Sequence, residues 1–351
     1  MAVRVARDPD VTRKAVTGWL ADRFGAPDLR LGPVTVPPST GFSAENLVVD
    51  ATWTGPDGPA RRRLVVRVAP TTYQLHPRPR FWQQYHVQRL LGSRTDLPVA
   101  PTFGFEHDPG LLGAPFCVLG HVAGAVPADL PSYHREGWLH DAPRPLRAAV
   151  WRHAVDVLAG IHRVDPAALG LASHLGPADP LGQVDELAAD LDFYGCATDP
   201  HVRAGLDLLR ATVPAQPGPP VLLWGDARLG NLIFDGSAVA AVLDWEMVGH
   251  GAPEADLAWF LHLDRHLSEG IGAGRLPGLP DEAATVARWA RRTGRVPHAL
   301  AFHRVFAAVR FAAVTARVTL LATGHGLVPA DFPLHRNATR LLAATLKEVG
   351  T

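Results

Sequence analysis

Apolar residues recur along the chain with two periods, one helical and one alternating. Near the start Val16, Leu20 and Phe24 fall four apart, which predicts an amphipathic helix over about Val11–Phe24. The next hundred residues read largely as strands. Leu29–Val36 is extended and ends at Pro37-Pro38, and Asn46–Trp53 and Arg62–Ala69 follow as strands. The Gly55-Pro56-Asp57-Gly58 turn joins the last two as an antiparallel hairpin. A helix over about Phe81–Leu91 and a strand over Phe116–Val122 come next. From Leu146 the spacing is helical, over Leu146–His162, Gln183–Phe193 and His201–Thr212. Short apolar strands return at Val221–Trp224, Leu232–Phe234 and Val239–Asp244. Helices then run over Asp256–His266, Asp281–Thr293 and the long Ala299–Ala322 segment. A strand-rich part followed by a helix-rich part with inserted strands is an α+β pattern in two lobes, taken here as residues 1–120 and 121–351.

Composition narrows the chemistry. Of 34 Lys plus Arg, lysine supplies Lys14 and Lys347 alone. A P-loop needs an interior lysine to reach the β/γ-phosphates, and a Schiff base needs one as nucleophile, so both are excluded. Any phosphate-binding cation in the interior is an arginine. A net charge of zero argues against a nucleic-acid footprint. Two cysteines, Cys117 and Cys196, make a disulfide framework improbable. The charged first ten residues have no apolar signal-peptide core. Arg304, Arg310 and Arg317 interrupt the longest apolar stretch, which reads as too charged to span a bilayer. The expectation is a soluble cytoplasmic protein, partnered by neither nucleic acid nor membrane; oligomeric state has no sequence signal.

The informative segment is Trp224-Gly225-Asp226-Ala227-Arg228-Leu229-Gly230-Asn231, followed by Val242-Leu243-Asp244-Trp245-Glu246. Asp226, Asn231 and Asp244 sit at ends of short strands, where side chains can converge on a cleft. Hard cations such as Mg²⁺ take carboxylate and amide oxygens together with substrate phosphates. A further carboxylate can accept a proton from a hydroxyl. Asp226 to Asn231 has the D-x-x-x-x-N spacing of a kinase catalytic loop, and one hairpin returns Asp244 to the same place.

With this loop, the L-D-W-E hairpin end and the following Gly251-Ala252-Pro253-Glu254-Ala255-Asp256-Leu257-Ala258, the chain resembles the aminoglycoside phosphotransferase family, the small-molecule branch of the protein-kinase-like fold. It is most similar to the subgroup that includes phosphotransferase domains associated with acyl-CoA dehydrogenases. The resemblance covers residues 41 to at least 260. It implies Asp226 as catalytic base, Arg228 as a phosphate contact, and Asn231 and Asp244 as Mg²⁺ ligands. Glu246 would reach a second metal through water, or be an exposed or capping residue. Asp256 would buttress the loop. Many members have His before the Gly-Asp; here Trp224 removes a loop-anchoring polar contact and keeps the packing. On the nucleotide side alternation along the strand sets Val65 and Arg67 on one face; the resemblance puts Arg67 in place of the kinase lysine on the ATP or GTP phosphates, the alternative being a surface arginine of the hairpin. Its helix partner would be Gln84, or His86 if the register shifts. The Ser39-Thr40-Gly41-Phe42-Ser43 turn would cover the phosphates, with Ser43 approaching them, or be a plain hairpin turn. The backbone at Gly120 and Val122 would pair with the adenine edge.

Residues 257–351 hold twelve Lys plus Arg against six Asp plus Glu, with Arg304, Arg310 and Arg317 beside Phe302, Phe306 and Phe311. That suits an anionic or amphipathic hydroxylated small molecule better than a polycationic aminoglycoside; some of these arginines would equally serve as a solvated face or pair with Asp264 and Glu282. The expected activity is Mg²⁺-dependent transfer of a nucleotide γ-phosphate to a hydroxyl. An antibiotic-inactivating O-phosphotransferase is a special case of it. The Lys-to-Arg and Glu-to-Gln departures also allow a nucleotide-binding pseudokinase or ligand-binding regulator. His262, Asp264 and His266 fall near one another on a helix but have no third metal ligand pattern and read as a polar face, and His162 reads as a satisfied core histidine.

Overall fold

The computed structural model describes residues 8–36, 44–78, 80–215 and 218–350. Helix α1 (Pro9–Phe24) packs Val16 and Leu20 onto a five-stranded antiparallel sheet of β1 (Arg30–Leu31), β2 (Glu45–Gly55), β3 (Gly58–Val68), β4 (Thr102–Glu106) and β5 (Phe116–Gly120), ordered β1-β2-β3-β5-β4. Alternation along β3 sends Leu64, Val66 and Val68 toward α1 and leaves Val65 and Arg67 on the opposite face. Helix α2 (Phe81–Arg94) covers that second face, where Tyr85 meets Phe105, Cys117 and Leu119. The expected strand over 29–36 pairs only at Arg30–Leu31 and again at a single Thr35–Val48 bridge, because Gly32-Pro33 interrupts it and proline offers no ladder N–H.

The helical lobe contains α3 (Trp138–Asp141), α4 (Arg144–Ile161), α5 (Pro180–Ala189), α6 (Leu191–Tyr194), α7 (Pro200–Ala211), α8 (Glu254–Leu267), α9 (Glu282–Thr293), α10 (Leu300–Gly324) and α11 (Leu334–Val349). The segment expected as one helix over 183–193 is two, broken at Asp190. Set into this lobe are two ribbons, β7 (Leu232–Asp235) with β8 (Ala238–Val242), and β6 (Val221–Leu223) with β9 (Gly249–Gly251). Three helices open with Asp-Pro: Asp8, Asp179 and Asp199 each accept a first-turn N–H while the proline takes the first helical position.

By length and composition α10 is apolar enough to cross a bilayer, so its arginines do not settle the matter as the sequence suggested. Within the fold Phe302, Val305, Val309, Ala312 and Ala316 are buried among the helices of this lobe, with α7, α8 and α11 as neighbours of α10, which contributes to the core of the helical lobe. Gly205 on α7 lies so close to this helix that a Cβ there would overlap Val309, whereas Gly18 on α1 has open space around its Cβ position. The same substitution should therefore have opposite signs. Gly18→Ala should gain about 0.5–1 kcal/mol from helix propensity, while at Gly205 overpacking of about 1–3 kcal/mol should exceed that gain. Thermal denaturation of both variants checks this, and a Gly205→Ala protein that melts higher than wild type would refute the close crossing.

Candidate active site

After β6 the chain turns at Gly225, where φ is +90° and a Cβ would overlap the Met247 carbonyl oxygen. Only glycine fits. The Trp224 and Gly225 N–H groups donate to Asp256 Oδ2 and Oδ1 at 2.6 and 3.0 Å. Asp256 stands in the first turn of α8 and is 2% exposed. His162 Nε2 lies 3.2 Å from Asp256 Oδ2, and Trp289 Nε1 donates to His162 Nδ1 at 2.9 Å. An indole N–H can only donate, so His162 Nδ1 accepts and its Nε2 carries the proton facing Asp256. Trp224 also corrects the sequence reading. It keeps a polar anchor, because its Nε1 donates to the Leu243 carbonyl at 2.8 Å and ties the loop to the residue before Asp244.

Beyond the turn, Asp226 is 7% exposed. Its Oδ2 accepts from Asn231 Nδ2 at 2.7 Å and Arg228 Nε at 2.9 Å, and its Oδ1 from Trp259 Nε1 at 3.0 Å. Burial raises its pKa to about 7, with the Asp244 and Glu246 carboxylates adding to the shift. Asn231 Nδ2 also donates to the Asp226 carbonyl at 3.0 Å, which leaves its amide oxygen for other use. The Asn231 carbonyl accepts from Leu243 N at 2.8 Å, setting Asn231 beside the end of the hairpin. There Asp244 adopts a left-handed φ of 56°, uncommon outside glycine. Its Oδ1 is buried without a hydrogen-bond partner among the described residues, and burial followed by the Glu246 charge raises its pKa to about 6. Glu246 is not exposed; it lies 3.3 Å from His76 Nε2.

Arg67 points inward rather than lying on the hairpin surface, its guanidinium 3.9 Å from Asp244 Oδ1 and its Nε without a hydrogen-bond partner among the described residues. Gln84 lines the same small cavity, with no hydrogen bond to Arg67 among the described residues. His86 instead stacks on Trp82 with ring centroids 5.3 Å apart. The Gly120 N–H is taken by the Pro101 carbonyl at 2.7 Å, while Val122 follows just beyond the end of β5. The Ser39–Ser43 turn, Ser43 included, lies outside the described residues.

The three arginines of α10 separate. Arg304 pairs with Glu282; Arg317 donates to the Gln74 carbonyl at 2.9 Å and stacks over Phe193; Arg310 lies over Trp259 and faces an open cleft beside Gly225. His262 and His266 are held neutral by burial, at about 3 and 4, and Asp264 is engaged by Tyr133, His134 and Arg275. Among the described residues they form no cluster that could hold a metal. Two residues of the centre had no sequence motif. Trp259 is one helical turn from Asp256, a spacing that places both on the loop side of α8. Asp129, which pairs with Arg228, comes from the connection after β5.

An antiparallel-sheet lobe carrying the inward cation, joined to a helical lobe carrying an Asp-x-x-x-x-Asn loop and a hairpin aspartate, defines a protein-kinase-like phosphotransferase. The sequence pattern of the Phosphotransferase enzyme family matches residues 37–303, and the chain belongs to that family. Over 180 residues it is 31% identical to acyl-CoA dehydrogenase family member 11 of Gallus gallus, covering 50% of this chain and 22% of that protein. It is 29% identical over 203 residues to family member 10 of Mus musculus, covering 57% and 18%. The chain thus spans less than a third of the length of these curated relatives. A Ralstonia eutropha protein assigned as an aminoglycoside phosphotransferase superposes with a TM-score of 0.73 at 22% identity, over 96% of this chain and 98% of that one. Aminoglycoside phosphotransferase APH(4)-Ia, solved in a ternary complex with AMP-PNP and hygromycin B, superposes with a TM-score of 0.55 at 20% identity over 96% and 99%.

The raised Asp244 carboxyl predicts a pH-dependent stability. Its pKa in the metal-free fold exceeds the ordinary value of about 4, so the protonated form favours folding. The contribution is complete below about pH 4 and is lost as pH rises to about 6, where Asp244 titrates. In EDTA, wild type should therefore lose Tm across that window relative to Asp244→Asn. Parallel Tm–pH curves for the two proteins would show that Asp244 does not titrate there.

Proposed function

We propose that this protein transfers the γ-phosphate of ATP, with GTP as the alternative donor, to a hydroxyl of a small molecule, in an Mg²⁺-dependent reaction. The observation that carries the reading is the convergence of Asp226, Arg228 and Asn231 with Asp244 and the inward Arg67 of the sheet lobe. Residues 1–120 would serve as the nucleotide lobe and 121–351 as the catalytic and acceptor lobe.

The donor set fits Mg²⁺. Among the described residues no group of three His, Cys, Asp or Glu side chains forms a closed metal cage. A buried Asp244 oxygen with no hydrogen-bond partner among the described residues, and an Asn231 amide whose nitrogen is already committed, instead leave two oxygens to offer. Magnesium characteristically uses one or two protein oxygens and completes its shell with phosphates and water. Asn231 and Asp244 would hold it, and bound there it supplies charge neutralisation at the phosphates. Asp226 would accept the acceptor hydroxyl proton while that oxygen attacks the γ-phosphorus and the bond to the β-phosphate oxygen breaks. Its three donors fix the carboxylate in place, and burial sets its pKa near the working range of a general base. Arg67 and Arg228 would balance the phosphate charge, so that catalysis is mostly positioning and electrostatics.

On the acceptor side, Arg78, Arg80 and Arg310 line the cleft with Glu186, Asp190 and Glu246. Each of these acids already faces a basic group: Arg78 reaches Glu186 and Asp190, and His76 reaches Glu246. This supports an acceptor that is not a polycation. An ADP-release screen of hydroxyl compounds with Mg²⁺, kanamycin-like amines included, tests it; efficient turnover confined to the amines would overturn the acceptor class.

Asp226→Ala should lose turnover by ~10²-fold or more with nucleotide affinity little changed; wild-type-like turnover would remove Asp226 from the role of base. Nucleotide binding without ADP release from any alcohol would favour the pseudokinase reading. Arg67→Lys and Arg67→Ala form a graded pair: lysine keeps the charge and loses the planar fork, alanine loses both. Nucleotide affinity should fall in the order wild type, Lys, Ala, and two silent variants would show that Arg67 does not contact the phosphates.

A further inference from the structure

Arg228 is held from two sides. Its Nε donates to Asp226 Oδ2 at 2.9 Å, and its Nη1 pairs with Asp129 Oδ2. Its other terminal nitrogen has no partner among the described residues. A guanidinium is planar with its donors in a fixed fork, so fastening Nε and one terminal nitrogen fixes the plane and the direction of the remaining donor. The Asp226 bond alone would leave the guanidinium plane free to pivot about the Nε–H···Oδ2 line.

Asp129 is itself fastened. Upstream, Ala125 exchanges two backbone hydrogen bonds of 2.8 Å with Phe234 of β7. Downstream, Ser132 Oγ donates to the Leu267 carbonyl at 2.7 Å, and the Tyr133 hydroxyl donates to Asp264 at 2.8 Å, both on α8. The carboxylate presses against the catalytic loop so closely that a Cβ on Gly230 would lie 2.6 Å from Oδ2 and 2.7 Å from Oδ1. Among the described residues the buried Asp129 Oδ1 has no hydrogen-bond partner. A partly buried, half-satisfied carboxylate is unfavourable unless its charge is used, and the cation it touches among the described residues is Arg228.

We propose that Asp129 is a positioning residue for phosphoryl transfer, which fixes the Arg228 guanidinium between two carboxylates and aims its free donor at the nucleotide phosphates. This rests on the phosphotransferase reading above. It predicts that Asp129 acts through Arg228 and through nothing else in the cleft.

The test is a double-mutant cycle on the full chain, read by calorimetric affinity for Mg²⁺·AMP-PNP and by ADP release with water as acceptor. Asp129→Asn keeps the shape and removes the charge. Asp129→Asn and Arg228→Gln should each weaken AMP-PNP binding about tenfold, as loss of one charge-assisted hydrogen bond commonly does. The double variant should stay within about twofold of either single one, and Asp129→Glu should recover part of the loss. Additive losses, near a hundredfold in the double variant, or a silent Asp129→Asn, would overturn the proposal. Arginine Nε–H NMR supplies a readout free of nucleotide. The resonance that vanishes in Arg228→Gln should be slow to exchange in wild type and fast in Asp129→Asn; unchanged exchange would also overturn it. A wild type that binds no Mg²⁺·AMP-PNP would overturn the phosphotransferase reading and the role of Asp129 with it, whereas binding without coupling would overturn the latter alone.

Discussion

A single carboxylate organises the centre. Asp256 is buried at the start of α8 and accepts the N–H groups of Trp224 and Gly225, the two residues that carry the chain out of β6 and into the catalytic loop. A buried carboxylate is tolerable only with its oxygens engaged, and His162 completes the set with a proton whose position Trp289 dictates. The donors therefore converge on Asp256, from Trp289 through His162 on one side and from the two loop N–H groups on the other. Together they join α9, α4 and α8 to the turn before Asp226. One turn further along α8, Trp259 reaches Asp226 itself. The same helix thus anchors the loop backbone and orients the side chain the loop presents.

The cluster ahead of that anchor is held in a high-energy arrangement. Three carboxylates, Asp226, Asp244 and Glu246, share a partly desolvated space with Arg67, Arg228 and His76, and the carboxyls of Asp226 and Asp244 are pushed upward. Asp244 also takes a left-handed backbone, a strain that functional positions commonly store. Such a site favours arrivals that bring compensating charge. A nucleotide triphosphate with its cation is matched to both halves of the imbalance, since it offers positive charge to the carboxylates and negative charge to the arginines.

Much of this was legible in the sequence, and the reasons are local. The loop and hairpin carry their spacing in consecutive residues, so Asp226, Asn231 and Asp244 could be read without a fold. Alternation in β3 put Val65 and Arg67 on one face, and the structure keeps them there. Helix starts were read one to three residues late because the Asp-Pro caps, not the first apolar residue, begin α1, α5 and α7. Strand β4 escaped because Gly104 interrupts its five residues. Long-range polar contacts were beyond reach. Nothing near Asp129 announces that it meets Arg228, and Trp224 looked like lost polarity because its partner, the Leu243 carbonyl, is a backbone atom that no residue type reveals.

The arginine that faces Asp244 in the cleft has a practical corollary. Nucleotide-directed reagents that profile kinases by acylating an amine need a lysine near the phosphates. In this chain the amines of the side chains belong to Lys14 on α1 and Lys347 on α11, far along the sequence from every strand and loop of the centre. If Arg67 meets the phosphates as proposed, a survey built on such reagents would record silence for this protein whatever its occupancy, and that silence would report the chemistry of residue 67, not the absence of a bound nucleotide.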